Sequence, residues 1–150
     1  MRRVLFLLST AAALVAMLAL AGPALAQSSS STANPPVTVL QTELSGQEEV
    51  PPGDPDGSGS ATIIAIPPDT VCYVLTAENI APATAAHIHQ APPGQPGPVV
   101  VPLEPPTYGA SGGCTQADPE VVSGLQENPD EYYVNVHNEE YPEGAIRGQL

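Results

Sequence analysis

The sequence predicts an all-β domain, a Greek-key sandwich of about seven strands carrying one short helix. Three observations predict it. Short runs of Val, Ile, Thr and Tyr recur between turns rich in Pro and Gly, the pattern of strands with tight connections. Nineteen prolines spread over 150 residues leave little room for helix. The chain has no Trp, and its one Phe, Phe6, lies in the apolar N-terminal stretch, so the core must come from Val, Ile, Leu, Ala and five tyrosines.

Arg2 and Arg3 precede an almost wholly apolar run, Val4 to Ala21, and Ala24-Leu25-Ala26 has the small-x-small form of a cleavage site. Residues 1–26 therefore read as a secretory signal peptide cut after Ala26. The run approaches the ~20 residues that span a bilayer, but the cleavage site directly behind it argues for removal. No cysteine follows it to carry a lipid, and no later apolar stretch is long enough to span. The expectation is an exported protein, extracellular or in the cell envelope, with no membrane insertion once the leader is cut. QSSSSTANPP, residues 27–36, reads as a flexible polar tether ending in a stiff Pro pair.

The domain is expected over 37–150. VTVLQTEL (37–44) opens it, and the polar loop GQEEVPPGDPDGSG follows. SATIIAI (60–66) and TVCYVLTA (70–77) form a hairpin through the PPD turn. TAAHIH (84–89) and PVVVPL (98–103) flank the Pro/Gly turn APPGQPG, and a looser segment runs on to Ala117. DPEVVSGLQENP supplies the helix, near 119–127: Asp118 caps it, Pro119 suits its first turn, Glu120 favours the positive end of its dipole, and Asn128-Pro129 stops it. YYVNVHN (132–138) and GAIRGQL (144–150) close the chain as strands.

Charge narrows the function. Once residues 1–26 are removed, all 16 acidic residues remain against a single cation, Arg147. A field of that sign repels nucleic acid and anionic lipid and attracts cations. Neither a nucleophile elbow, a phosphate-binding glycine loop nor a metalloprotease motif is present, so an enzyme is not expected. GDPDGSG (53–59) lacks the terminal glutamate of a calcium loop and reads as an acidic turn.

Cys72 and Cys114 are the only cysteines of a chain expected to be exported, so one disulfide is expected, worth about 4 kcal/mol in the chain-entropy picture. Arg147 adjoins Ile146 on the closing strand; a buried guanidinium there needs a carboxylate, and Glu48 or Glu49 is the expected partner, Glu49 first.

The three histidines carry the chemical question. His87 and His89 alternate with Ile88, so on a strand they share one face, with Cα atoms ~6.6 Å apart. Tyr133, Asn135 and His137 share a face of the late strand. If the two strands are neighbours, His87, His89 and His137 can meet on one ion, and three imidazoles suit copper or zinc with a position left over. The competing expectation is that the histidines bond to turn backbone, in APPGQPG and near YPEG.

ELSGQEEVPP, AAHIHQAPPGQPGPVVVPL and NPDEYYVNVHNEEYPEGAIRGQL, in that order, resemble the CHRD domain, over roughly residues 37–150. That module is named after chordin, where it recurs, and is widespread in secreted bacterial proteins. The resemblance implies an immunoglobulin-like sandwich of extracellular proteins with no established reaction. The H-x-H with a later VH is also similar, as a pattern, to the copper ligands of Cu/Zn superoxide dismutase. That enzyme uses a fourth copper histidine that bridges to zinc; only three histidines are present here, so its catalysis is not expected. The leading expectation is a non-enzymatic module that binds an extracellular protein or cell-surface material; the alternative is a three-histidine metal protein.

Overall fold

The computed structural model describes residues 36–150; the expected leader over 1–26, and all of the 27–36 tether but Pro36, lie outside them. Eight strands form: β1 (Thr38–Ser45), β2 (Ser58–Ile66), β3 (Thr70–Glu78), β4 (Ala85–Gln90), β5 (Val99–Leu103), β6 (Ala110–Gln116), β7 (Tyr132–His137) and β8 (Ile146–Gln149). One helix, α1 (Pro119–Glu127), lies between β6 and β7.

The all-β class and the single short helix stand as expected. The division into two separate sheets does not: hydrogen bonding runs continuously in the order β5-β4-β7-β8-β1-β2-β3-β6, and all its pairings are antiparallel. Two four-stranded halves are joined through β1 and β8, where a single residue pair, Ser45 and Arg147, is in register. Inward residues from both halves share one core, so the sheet curls toward a barrel instead of leaving a sandwich of independent layers.

Alternation builds that core. Ala61, Ile63 and Ala65 of β2, Val71, Tyr73 and Leu75 of β3, and Ile88, Val134, Val136 and Ile146 of the other half are all buried. Each fully buried Val or Ile contributes about 1.5–3 kcal/mol from apolar area removed from water. Helix α1 adds Val122 and Leu125, three positions apart and so on one face. Its cap is as expected, with the Asp118 carboxylate accepting from the Glu120 N–H at 2.9 Å.

The eighth strand is β6, in the segment read as loose. It pairs with β3, placing Cys114 directly opposite Cys72, and the two are disulfide-bonded. The acidic loop behaves as a turn, with the Asp54 carboxylate accepting from the Asp56 N–H at 3.2 Å. No helix among the described residues is long and apolar enough to cross a membrane.

Candidate metal centre

Register brings the histidines together. Strands β4 and β7 pair antiparallel with Ala85 opposite His137, His87 opposite Asn135 and His89 opposite Tyr133. Because Ile88, Val134 and Val136 take the core face, His87, His89, Tyr133, Asn135 and His137 all rise from the other face. On β8, Arg147 stands opposite Asn135, and Gln149 opposite Tyr133. The β4–β5 pairing slips between Ile88 and His89, making Val100 the extra residue of a bulge beside the histidines.

One nitrogen from each of His87, His89 and His137 lies within 4.8 Å of the other two. His87 Nδ1 and His137 Nε2 are 3.1 Å apart. The Pro/Gly turn and the β7–β8 loop lock two of the rings from behind: His89 Nδ1 is 2.8 Å from the Gly97 carbonyl, and His137 Nδ1 is 3.1 Å from the Pro142 carbonyl. Gly97 is required for this approach, since a Cβ there would collide with the Gln90 carbonyl. A carbonyl only accepts, so a neutral ring bonded to it carries its proton on Nδ1 and turns a bare Nε2 lone pair inward.

The expected turn-backbone bonds are therefore real at His89 and His137, and they orient rather than exclude a ligand role. Backbone bonds of this kind are what set the tautomer of metal-bound histidines. His89 Nε2 is buried without a partner. Burial, reinforced by His137 and His89, pushes His87 down to about 4, and burial also lowers His137 despite the opposing Pro142 hydrogen bond. Both rings are neutral at pH 7, the form that ligates metals.

The flanking residues make a buried polar layer. The Tyr133 ring stacks on His89, with centroids 4.8 Å apart and planes 10° from parallel. The Arg147 guanidinium lies 3.4 Å from the centre of the Tyr133 ring. The expected Arg147–Glu49 ion pair is not formed as a direct contact. Arg147, 2 % exposed, instead donates to the Gln95 carbonyl at 3.0 Å and to Gln149 Oε1 at 3.1 Å. Its planar fork is held by cation–π stacking and these two neutral acceptors, which fix it over Tyr133 and away from direct contact with Glu49. Glu49 is buried nearby, and burial pushes its carboxyl up to about 7, against the opposing pulls of the Val50 backbone bond, the Arg147 charge and the Asn135 side chain.

Sequence reasoning found the three histidines and the shared face of Tyr133 and Asn135, but gave neither residue a role. The signal was present, since both alternate in step with His137. The contributions of Gln95, Gly97 and Pro142 come from loop backbone, to which strand periodicity does not speak.

A family model described as the CHRD domain matches residues 40–150 of the chain. No curated protein and no solved structure matches it.

Proposed function

The chain belongs to the CHRD family, and we propose that this CHRD domain binds one copper or zinc ion through His87, His89 and His137. The observation that supports this best is the inward Nε2 of His89, buried and unpartnered while its Nδ1 is tied to Gly97. A buried acceptor without a donor costs about 1–3 kcal/mol, and a cation placed among the three rings removes that cost. Nitrogens 3.1 Å apart, bound at about 2.0–2.1 Å, subtend an angle of about 95–100° at an ion, within the range of these metals. The acidic exterior concentrates cations around it.

We read the bound metal as structural or stored and not as a centre of turnover, and the protein as exported. The signal-like N-terminus supports export, and the disulfide fits an oxidising compartment.

Calorimetric titration of the purified protein with zinc and with copper tests the metal reading. The expected result is one equivalent bound tightly, with affinity falling by more than about 100-fold in His87→Ala and in His137→Ala, beyond what loss of an outer-shell partner costs. Binding that is weak, salt-sensitive and indifferent to these substitutions overturns it.

A second reading, docking of an extracellular protein or cell-surface material, is favoured by the outer face of β1–β3. There Val39 is 57 % and Val74 55 % exposed, beside the half-buried Ile64. The two readings occupy different halves of the sheet and are compatible.

A further inference from the structure

We propose that Asn135 is the fourth ligand of the three-histidine site, its side-chain Oδ1 completing a set of three nitrogens and one oxygen. This rests on the metal reading above and deepens it. Asn135 stands opposite His87 across the β4–β7 ladder and two residues before His137, so the three side chains rise from one patch of the sheet. It is 2 % exposed, and a side-chain amide so buried needs partners for both its oxygen and its nitrogen. Its nitrogen end is accounted for by Glu49: the Asn135 side chain favours the ionised form of that carboxyl, which an amide does through its N–H. With the N–H end toward Glu49, Oδ1 faces the histidines, 3.1 Å from His137 Nε2.

The oxygen is where the hydrogen bonding fails to close. His137 presents Nδ1 to the Pro142 carbonyl at 3.1 Å and Nε2 to Asn135 Oδ1, also at 3.1 Å. Both oxygens only accept, while a neutral imidazole has a single N–H. Whichever tautomer is drawn, one contact sets lone pair against lone pair. A cation between Nε2 and Oδ1 resolves the conflict. Nδ1–H then bonds to Pro142, and both inward atoms direct lone pairs at the ion. The Oδ1–Nε2 separation equals the 3.1 Å between His87 Nδ1 and His137 Nε2, so two edges of equal length meet at His137. An amide oxygen is a hard, neutral donor, so the set favours Cu(II) or Zn(II) over Cu(I), which prefers soft ligands.

Cu(II) titration of the wild type, Asn135→Ala and Asn135→Asp, followed by calorimetry and electron paramagnetic resonance, tests this. Each variant is first checked for a wild-type circular dichroism spectrum. Removing the oxygen should weaken Cu(II) by about tenfold or more and change the copper g and hyperfine values. A carboxylate in its place should restore or tighten binding. Unchanged affinity and spectrum in Asn135→Ala, with one copper still bound by the wild type, overturns the fourth ligand and leaves the three-histidine site intact. Weakening by Asp as well as by Ala also overturns it, because it means that the amide serves the site by donating N–H. Absence of Cu(II) binding by the wild type overturns the metal reading itself, and this inference with it. Should neither variant fold, zinc titration of the wild type followed by nuclear magnetic resonance decides. The Asn135 side-chain carbonyl carbon should shift more than that of any other Asn, and no shift there overturns the assignment.

Discussion

Glu49 is buried and His87 half-buried, yet they tilt stability in opposite directions with pH. Glu49 is raised from an ordinary 4.5 to about 7, chiefly by burial. Between those values the unfolded chain has released this proton and the native chain keeps it, so stability falls as pH rises through that window. His87 is lowered from 6.5 to about 4, again chiefly by burial. There the unfolded chain binds the extra proton, so stability falls as pH drops from 6.5 through 4. Where the windows overlap, the two slopes oppose. Glu49→Gln removes one of them. In metal-free protein, its denaturation stability relative to wild type should grow from pH 4.5 to 7 and then level off; a difference independent of pH contradicts the buried-acid assignment. This pairing also shows how far single residues are legible in sequence. Period-two alternation put His87 and His89 on one face of their strand, and Tyr133, Asn135 and His137 on one face of theirs. It could not tell that Arg147 would lie on Tyr133 with its hydrogens on Gln95 and Gln149, because those positions depend on a loop and a neighbouring strand.

Helix α1 and strand β6 mark the corresponding limits for whole elements. Local chemistry announces α1, through a capping Asp118, Pro119 in the first turn and Asn128-Pro129 behind it, and the observed helix ends match. Strand β6 is ASGGCTQ, with two glycines and no β-branched residue before Thr115, so nothing local marks it as a strand. It is an edge strand held by its ladder to β3 and by the Cys72–Cys114 bond across that ladder. Replacing both cysteines by serine should therefore cost up to about 4 kcal/mol in the chain-entropy picture, measured by chemical denaturation. The cost should be concentrated at this edge. Hydrogen exchange should quicken in β6 well before β4 or β7, and metal binding in the other half of the sheet should be unchanged. Uniform loss of protection across both halves would mean that the edge is not an independent unit of opening. The same geometry explains why a sandwich was expected: seven of the strand runs were legible, but the link that unites the halves is a single register pair at Ser45 and Arg147, which no hydropathy pattern encodes.

Across the whole molecule, the unequal count of charges decides the response to salt. Sixteen acidic side chains occupy the described domain, and its one Lys or Arg, Arg147, is buried on Tyr133. Salt usually acts on a folded protein in two opposing ways, weakening surface ion pairs and relieving like-charge repulsion. Here the surface of the described domain carries no Lys or Arg with which its carboxylates could pair, so only the second effect is left. Raising sodium chloride from 0.01 to 0.15 M shortens the screening length from about 30 to about 8 Å, less than the width of the domain. Repulsion across the fold should fade over that range. The thermal midpoint should rise by roughly 4 °C or more, corresponding to about 1 kcal/mol for a chain of this size. The same screening should slow capture of a divalent cation, because the field that concentrates cations at the surface is the one that strains the fold. A thermal midpoint that is flat or falls with salt would mean that the acidic side chains are too far apart to repel one another, and the proposed attraction of metal ions to this surface would lose its physical basis.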